Sequence, residues 1–151
     1  MRVLITGGGT AGHVNPALAI ADAILARESD AVIEYVGTQK GIEGRLVTRR
    51  GMTLHPIEVY GLRRSLSPYN IKALAKAISA KKRCKSIIRD FKPDVIVGTG
   101  GYASFPALLA ASKLGIPTCV HEANAMPGLT TRMAAAWAAR VLICFEESAC
   151  R

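Results

Sequence analysis

The most constraining feature of this sequence is a regular alternation of short apolar runs with longer stretches of helical periodicity. Six runs have the composition of buried strands, at residues 3–6, 32–36, 54–60, 94–97, 118–121 and 141–145. Helical patterns separate them, at residues 16–27, 42–50, 71–91, 105–114 and 129–139. Because strands that alternate with helices pair in parallel, the pattern predicts an α/β fold with a Rossmann-like, doubly wound parallel sheet.

Capping and breaking residues refine these bounds. Asn15 followed by Pro16 predicts the start of the first helix. Asn70 and Ser104 are the expected N-caps of the third and fourth helices. Pro56 lies in the third apolar run and predicts an edge strand or a bulge, because proline cannot donate a hydrogen bond to a neighbouring strand.

Composition narrows the classes of protein and of partner. The chain has 151 residues, of which 50% are hydrophobic and 21% charged, as expected for one packed domain. The net charge of +9 favours an anionic partner, which could be nucleic acid, a phosphorylated ligand or a membrane surface. No apolar stretch is long enough to span a bilayer, so any membrane contact is expected to be peripheral.

The four cysteines form neither a C-x-x-C pair nor a metal-ligand spacing. Cys119 and Cys144 lie in apolar runs and are expected to be small core residues. The sequence therefore predicts no disulfide framework. It predicts a protein of a reducing, cytoplasmic compartment.

The first glycine-rich segment, residues 7–13, satisfies G-x-G-x-x-G between a strand and a helix. Such a loop lets backbone N–H groups approach a phosphate, although a tight turn without a ligand is the alternative. A dinucleotide site would need an acidic residue where Gly37 and Thr38 end the second strand. A nicotinamide-dependent oxidoreductase is therefore disfavoured.

Two further polar clusters follow strands four and five. Residues 98–102 form a second glycine loop, and residues 121–124 bring together His121, Glu122 and Asn124. Ligands of open parallel sheets bind at the carboxyl ends of the strands, so all three clusters are expected to share one crevice. There His13 could act as a general base or bind a phosphate, with helix capping as the alternative.

The third helical segment combines apolar positions with a strongly basic face. Its apolar residues are Ile71, Leu74, Ala75, Ile78, Ile87 and Ile88, expected to form one stripe. The pattern predicts a peripheral contact with an anionic membrane, and a solvated helix face is the alternative. Nucleic acid is disfavoured because no aromatic residues are interleaved with the basic run. The predicted membrane contacts are Arg63, Arg64, Lys72, Lys76, Lys81, Lys82 and Lys85.

Three ordered motifs resemble the MurG family of bacterial lipid-intermediate N-acetylglucosaminyltransferases. They are GGGTAGHVNP at 7–16, GTGGYASFP at 98–106 and GIPTCVHEANAMPG at 115–128. The resemblance implies a two-domain GT-B enzyme that transfers N-acetylglucosamine from UDP-N-acetylglucosamine to undecaprenyl-pyrophosphoryl-N-acetylmuramoyl-pentapeptide, inverting the anomeric centre. It implies no metal or cofactor, and it places the enzyme at the cytoplasmic face of the plasma membrane.

The resemblance also implies the roles of individual residues. His13 and Glu122 are the expected catalytic residues, with His13 as general base. The expected substrate-binding residues are Thr10, Ala11, Gly12, Gly100, Gly101, Tyr102, His121 and Asn124. Ala11 replaces a glycine that is usual in the family, which is harmless if its backbone is helical or extended.

By the same resemblance, residues 1–151 are the N-terminal, acceptor-binding and membrane-associated domain. The C-terminal nucleotide-sugar domain is expected to lie outside this chain, which would then be inactive alone. A non-catalytic membrane-recruiting subunit of a split glycosyltransferase is the alternative.

Overall fold

The computed structural model describes residues 1–61 and 68–149 and contains one six-stranded parallel sheet. The strands are β1 (Arg2–Thr6), β2 (Val32–Gly37), β3 (Thr53–Pro56), β4 (Val95–Gly98), β5 (Thr118–Glu122) and β6 (Arg140–Ile143). The helices are α1 (Ala11–Arg27), α2 (Ile42–Arg49), α3 (Pro68–Phe91), α4 (Phe105–Lys113) and α5 (Leu129–Ala135), followed by one 3₁₀ turn (Glu146–Ser148). The predicted α/β fold class is confirmed.

The strand order β3-β2-β1-β4-β5-β6 locates the crevice of the sheet. The chain runs outwards from β1 to β3, then crosses back so that β4 pairs with the free side of β1. Thr6 at the end of β1 is thus paired with Gly98 at the end of β4. Ligands of such sheets bind where the strand order reverses, and both glycine loops begin there.

Alternating side chains of the central strands build two apolar layers. Leu4 and Ile96 face one side of the sheet, in a cluster with residues of α3 and α4. Val3 and Ile5 face the other side and pack against α1 and α2. Because both faces of β1 are covered, its run is continuously apolar rather than alternating. The sheet is thereby fixed as a rigid support for the loops at its carboxyl edge.

The first helix begins earlier than predicted. The N–H groups of His13 and Val14 both donate to the Thr10 carbonyl, at 3.2 and 3.3 Å, so the first turn forms before Asn15. Pro16 is then an internal residue of α1 near its N-terminus. The predicted Asn15 cap is wrong, because a nearby proline costs this helix only one hydrogen bond.

Of the two other predicted caps, Asn70 is wrong, and Ser104 is correct in position but not in its side-chain bond. Asn70 lies inside α3, which begins at Pro68, a residue type suited to the first position of a helix. Ser104 does precede α4, but its hydroxyl donates to the Gly101 carbonyl at 2.9 Å instead of capping the helix. Gly115, with φ of 71°, follows the end of α4 as predicted.

The positions of Pro56 and of the described cysteines follow from the order of the strands. β3 is an edge strand, as Pro56 predicted. Cys144 follows β6, the opposite edge, whose residues are exposed, so its predicted core position is wrong. Cys119, on β5, is half-buried, whereas Cys84 on α3 is fully buried in the core. Burial raises the pKa of the Cys84 thiol to about 12, which keeps it protonated and unreactive.

Candidate functional site

The two glycine loops are bonded directly to each other at the carboxyl ends of β1 and β4. The Gly8 N–H donates to the Gly100 carbonyl at 3.3 Å, and the Thr99 hydroxyl donates to the His13 carbonyl at 2.7 Å. Gly101 has φ of 78°, and a side chain there would lie 2.0 Å from the Gly8 carbonyl oxygen. Glycine is therefore required at Gly101 for the loops to approach each other.

His13 lies in the first turn of α1, with its ring against the second glycine loop. Its Nδ1 is 3.1 Å from the Thr99 carbonyl oxygen, which can only accept a hydrogen bond, so Nδ1 carries the proton. The Nε2 atom then holds the lone pair, and within residues 1–61 and 68–149 it has no hydrogen-bond partner. A side chain at Gly100 would lie 2.9 Å from Nδ1. The loop thus fixes the tautomer that can act as a base.

The other residues predicted in the first loop occupy the start of the same helix. Thr10 is the N-cap residue, with an extended backbone, and Ala11 begins α1. Ala11 is not among the described residues with positive φ, so alanine fits this position without strain. Gly12 is exposed at this helix terminus, where N–H groups of a first turn have no helical acceptor.

Tyr102 connects the second glycine loop to a cavity on the β2–β3 side. Its ring packs beside Gly9, where a side chain would lie 2.9 Å from Cε1. Burial raises the pKa of Tyr102, with the charges of Glu43 and Tyr69 acting in the same direction. The hydroxyl is therefore a donor at neutral pH. The adjoining cavity of about 530 Å³ is lined by residues 38–41, 56–60 and 102.

Glu122 is buried at the end of β5 and organises the third polar cluster. Its Oε1 accepts from the backbone N–H and side-chain amide of Asn124, at 3.0 and 2.8 Å, and its Oε2 accepts from Gly128 N–H at 3.0 Å. Burial alone would raise the pKa of Glu122, but hydrogen bonds from Thr131, Gly128 and Asn124 outweigh it and lower the pKa. The carboxylate therefore holds the loop of residues 122–128 in place.

His121 and Cys144 form a second contact at this edge. The His121 Nε2 lies 3.4 Å from the Cys144 Sγ, and the buried Nδ1 atom has no partner within the described ranges. Burial lowers the pKa of His121, opposed in part by the negative charge of Glu122. His121 is therefore neutral at physiological pH.

One contact joins the third cluster to the glycine loops. The Thr130 hydroxyl donates to the Gly101 carbonyl at 3.3 Å, which ties the start of α5 to the second loop. The three predicted motifs thus share one edge, and we call residues 7–13, 98–104 and 121–130 the loop edge. His13 contacts Gly100 and Gly101, whereas the described contacts of Glu122 are with its own loop and α5.

Sequence reasoning missed Glu43, which is fully buried behind the first loop. Its Oε2 accepts from the Gly9 N–H at 3.3 Å, and its Oε1 accepts from the Thr38 N–H and hydroxyl at 3.0 and 2.6 Å. The available signal was an acidic residue in the first turn of α2, which usually indicates only a favourable helix-dipole interaction.

The third helix presents a different kind of surface. Its buried face consists of Ala73, Ala80, Cys84, Ile87, Ile88 and Phe91. The predicted single apolar stripe is wrong, because Ile71, Leu74 and Ile78 are 75%, 59% and 53% exposed. At about 100° of rotation per residue, these three positions share one helix face, which points away from the buried face.

Basic residues surround this exposed ridge. Lys72 and Lys82 are exposed, and Lys76, Lys81 and Lys85 are partly exposed. Lys76 is ion-paired with Glu58. We call the exposed ridge and its lysines the α3 surface: Ile71, Lys72, Leu74, Lys76, Ile78, Lys81, Lys82 and Lys85. The predicted contacts Arg63 and Arg64 lie outside the described residues.

Within residues 1–61 and 68–149, no three His, Cys, Asp or Glu side chains are grouped so that they could hold a metal ion. No helix in these ranges has the length and apolar character needed to cross a membrane.

The chain belongs to glycosyltransferase family 28, whose N-terminal domain matches residues 3–143. The resemblance of the three motifs to the MurG family is confirmed by individual relatives.

Curated relatives are named UDP-N-acetylglucosamine–N-acetylmuramyl-(pentapeptide) pyrophosphoryl-undecaprenol N-acetylglucosamine transferase. Those of Lactococcus lactis and Listeria monocytogenes are 47% and 48% identical over 98% and 97% of this chain. That of Desulforudis audaxviator is 49% identical over 99% of it. The chain spans 42%, 40% and 40% of the lengths of these three relatives.

Solved structures agree. MurG of Acinetobacter baumannii superimposes with a TM-score of 0.84 at 31% identity, covering 97% of this chain and 42% of that one. UDP-GlcNAc 2-epimerase from Neisseria meningitidis, solved with UDP-GlcNAc bound, has a TM-score of 0.53 at 20% identity and shares the fold. It covers 82% of this chain and 32% of that one.

Proposed function

We propose that residues 1–151 are the acceptor-side domain of an inverting N-acetylglucosaminyltransferase. The complete enzyme would transfer N-acetylglucosamine from UDP-N-acetylglucosamine to the muramyl 4-hydroxyl of undecaprenyl-pyrophosphoryl-N-acetylmuramoyl-pentapeptide. A separate C-terminal domain would hold most of the nucleotide. The names of relatives that match nearly the whole of this chain support the proposal.

The structural observation that best supports this proposal is the tautomer of the His13 ring. Hydrogen bonding of Nδ1 to Thr99 leaves the Nε2 lone pair available. In the proposed reaction, Nε2 takes the proton of the acceptor 4-hydroxyl as its oxygen attacks C1 of N-acetylglucosamine. The bond from C1 to the UDP oxygen breaks, UDP leaves, and the configuration inverts.

Other residues of the loop edge would bind the two substrates. The first turn of α1, with Thr10, Ala11 and Gly12, offers N–H groups to the donor sugar nucleotide. Asn124 is exposed, and its side-chain nitrogen donates to Glu122. This bond orients the side-chain amide and leaves its Oδ1 as the atom that would accept from sugar groups. Tyr102 would offer its hydroxyl to a ligand. His121 would bind a ligand through Nε2 only by giving up its contact with Cys144, and Glu122 acts by holding the loop that carries Asn124.

We also propose that the domain meets an anionic membrane through the α3 surface, on the cytoplasmic side. A lipid-linked acceptor resides in a bilayer, so its binding domain must approach the lipid surface. Three exposed apolar side chains beside several lysines are suited to this contact. No role for nucleic acid is proposed.

The decisive experiment is incorporation of labelled N-acetylglucosamine into the lipid acceptor by the longer natural protein that contains this chain. Transfer that depends on both UDP-N-acetylglucosamine and the lipid acceptor would support the proposal. Calorimetry should show at best weak binding of UDP-N-acetylglucosamine to the 151-residue chain. Submicromolar binding by this chain would contradict the division of substrates between two domains.

A further inference from the structure

Two backbone donors of the first glycine loop, those of Gly8 and Gly9, are turned towards the protein, although the N–H groups of a G-x-G-x-x-G loop ordinarily bind phosphate. The Gly8 N–H is bonded to the Gly100 carbonyl and the Gly9 N–H to the Glu43 carboxylate, both at 3.3 Å. Neither donor is free for a ligand phosphate. The loop therefore differs from a phosphate-binding loop, whose N–H groups point outwards.

Glu43 contacts this loop from the interior of the domain. Side chains added at Gly8, Gly37 and Gly41 would lie 2.6, 2.8 and 2.5 Å from atoms of Glu43. Three glycines thus make room for one buried carboxylate. Its two oxygens accept three hydrogen bonds, from the Gly9 N–H and from both donors of Thr38, and no cationic side chain is bonded to it in the described ranges.

The position of this carboxylate has an electrostatic consequence for the ligand. A buried negative charge is weakly screened, so it acts on groups across the thin loop. The pKa of Tyr102, whose ring packs on Gly9, is raised first by burial and then by the charges of Glu43 and Tyr69. A phosphate placed against Gly8 and Gly9 would meet repulsion and find no free donor.

We propose that Glu43 is a positioning residue that fixes the first glycine loop and restricts Gly8–Gly9 to uncharged, hydroxyl-bearing parts of a ligand. The inference rests on the proposed function only in assigning that ligand to a sugar substrate. The diphosphates of both substrates must then be held elsewhere, by groups other than this pair of glycines. In this arrangement Gly8 and Gly9 line the sugar-binding part of the crevice, and other groups line its phosphate-binding part.

The test uses amide hydrogen exchange and NMR on the 151-residue chain, so it is independent of transferase activity. Glu43→Gln should accelerate exchange of the Gly9 amide about 10- to 100-fold, because a hydrogen bond to a charged group is lost. Exchange at Ile5 in β1 should change far less. Glu34→Gln is the matched control, since Glu34 pairs with His55 on β2 and β3 and should leave Gly9 unchanged.

A titration with inorganic pyrophosphate tests the electrostatic part. The wild-type amides of Gly8 and Gly9 should not respond saturably, and the Glu43→Gln variant should gain a response. Thr38→Val removes one donor to Glu43 but keeps the charge, so it should loosen Gly9 while still excluding pyrophosphate. If Glu43→Gln does not fold, Gly9 exchange in Thr38→Val still tests whether Glu43 fixes the loop. Saturable pyrophosphate binding at wild-type Gly8–Gly9, or Gly9 exchange unchanged in the variants, would overturn the proposal.

Discussion

The loop edge and the α3 surface differ in how their side chains are held. At the loop edge, His13 and Glu122 each have hydrogen-bond partners within the domain, as does Glu43 directly behind it. On the α3 surface, Ile71 and Leu74 are mostly exposed, and only one of the predicted contact lysines is ion-paired among the described residues. The side chains of the first region are thus held in one geometry, whereas those of the second are exposed, as expected if they meet the proposed membrane surface.

This difference predicts what substitutions will change. At the loop edge they should alter catalysis or stability and leave membrane binding unaffected. On the α3 surface they should alter membrane binding and leave the fold intact, because the residues contribute little to the core.

The largest effect is expected for His13→Ala in the longer protein. Loss of a general base usually lowers kcat by about 10²- to 10⁴-fold. Steady-state kinetics with a soluble acceptor analogue would measure kcat without the membrane step. His55→Ala is the matched control, because His55 pairs with Glu34 outside the loop edge. A His13 variant that keeps more than half of the wild-type kcat would show that His13 only positions the loops.

The next largest effect is expected when Lys76, Lys81, Lys82 and Lys85 are changed to Glu. Each basic residue near an anionic bilayer contributes about 1 kcal/mol, so affinity for anionic vesicles should fall by roughly 100-fold or more. Vesicle sedimentation would measure this, and added salt should weaken wild-type binding by screening.

The control for this variant has the same change in net charge at exposed positions away from α3. It carries Glu in place of Arg27, Arg45, Arg49 and Lys113. Equal loss of binding in both variants would mean that net charge, and not the α3 surface, governs attachment. Circular dichroism should show both variants folded.

A smaller effect is expected from Ile71→Ser, Leu74→Ser and Ile78→Ser together. Partial insertion of three apolar side chains should contribute roughly 10- to 100-fold in vesicle affinity. At high salt, charge is screened and wild-type binding depends on the apolar contribution. The variant lacks that contribution, so it should lose binding there. Serine at Leu25, Val32 and Val141, which are also exposed, should leave binding unchanged. Salt-resistant binding by the ridge variant would exclude insertion of this ridge.

The sequence predicted the loop edge well, for a physical reason. In a parallel sheet all carboxyl ends lie at one edge, so motifs that follow β1, β4 and β5 must come together there. The contacts of His13 with Gly100 and of Thr130 with Gly101 follow from that topology. Their distances and the tautomer of His13 depend on tertiary packing, which local patterns do not contain.

The errors arose where local preference competes with packing. Asn15 and Asn70 are good capping residues, yet earlier turns extend both helices past them. Ile71 and Ile87 belong to the same helical pattern but to different faces, and only the position of α4 shows which face is buried. Glu43 has the sequence signature of a surface acid, because the first glycine loop that covers it, with Gly8 and Gly9, is distant in sequence.

The smallest effect is expected for Glu122→Gln. Its amide would place an NH₂ donor against the N–H of Gly128 or against both donors of Asn124, so at least one hydrogen bond to a charged group is lost. Such a loss destabilises a domain by about 1–2 kcal/mol. Urea unfolding at neutral pH would measure the difference, and Glu147→Gln, at an exposed position, should show none.

The pH dependence of this difference identifies its cause. The pKa of Glu122 is lowered in the folded state from its ordinary value of 4.5. A lowered pKa means that the folded protein binds this proton less readily, so the stabilisation is present above pH 4.5 and is lost as the pH falls through the folded-state pKa. Wild type and Glu122→Gln should therefore converge once the pH lies below the folded-state pKa of Glu122. A gap that persists undiminished there would attribute the loss to packing of the loop and not to the charge of Glu122.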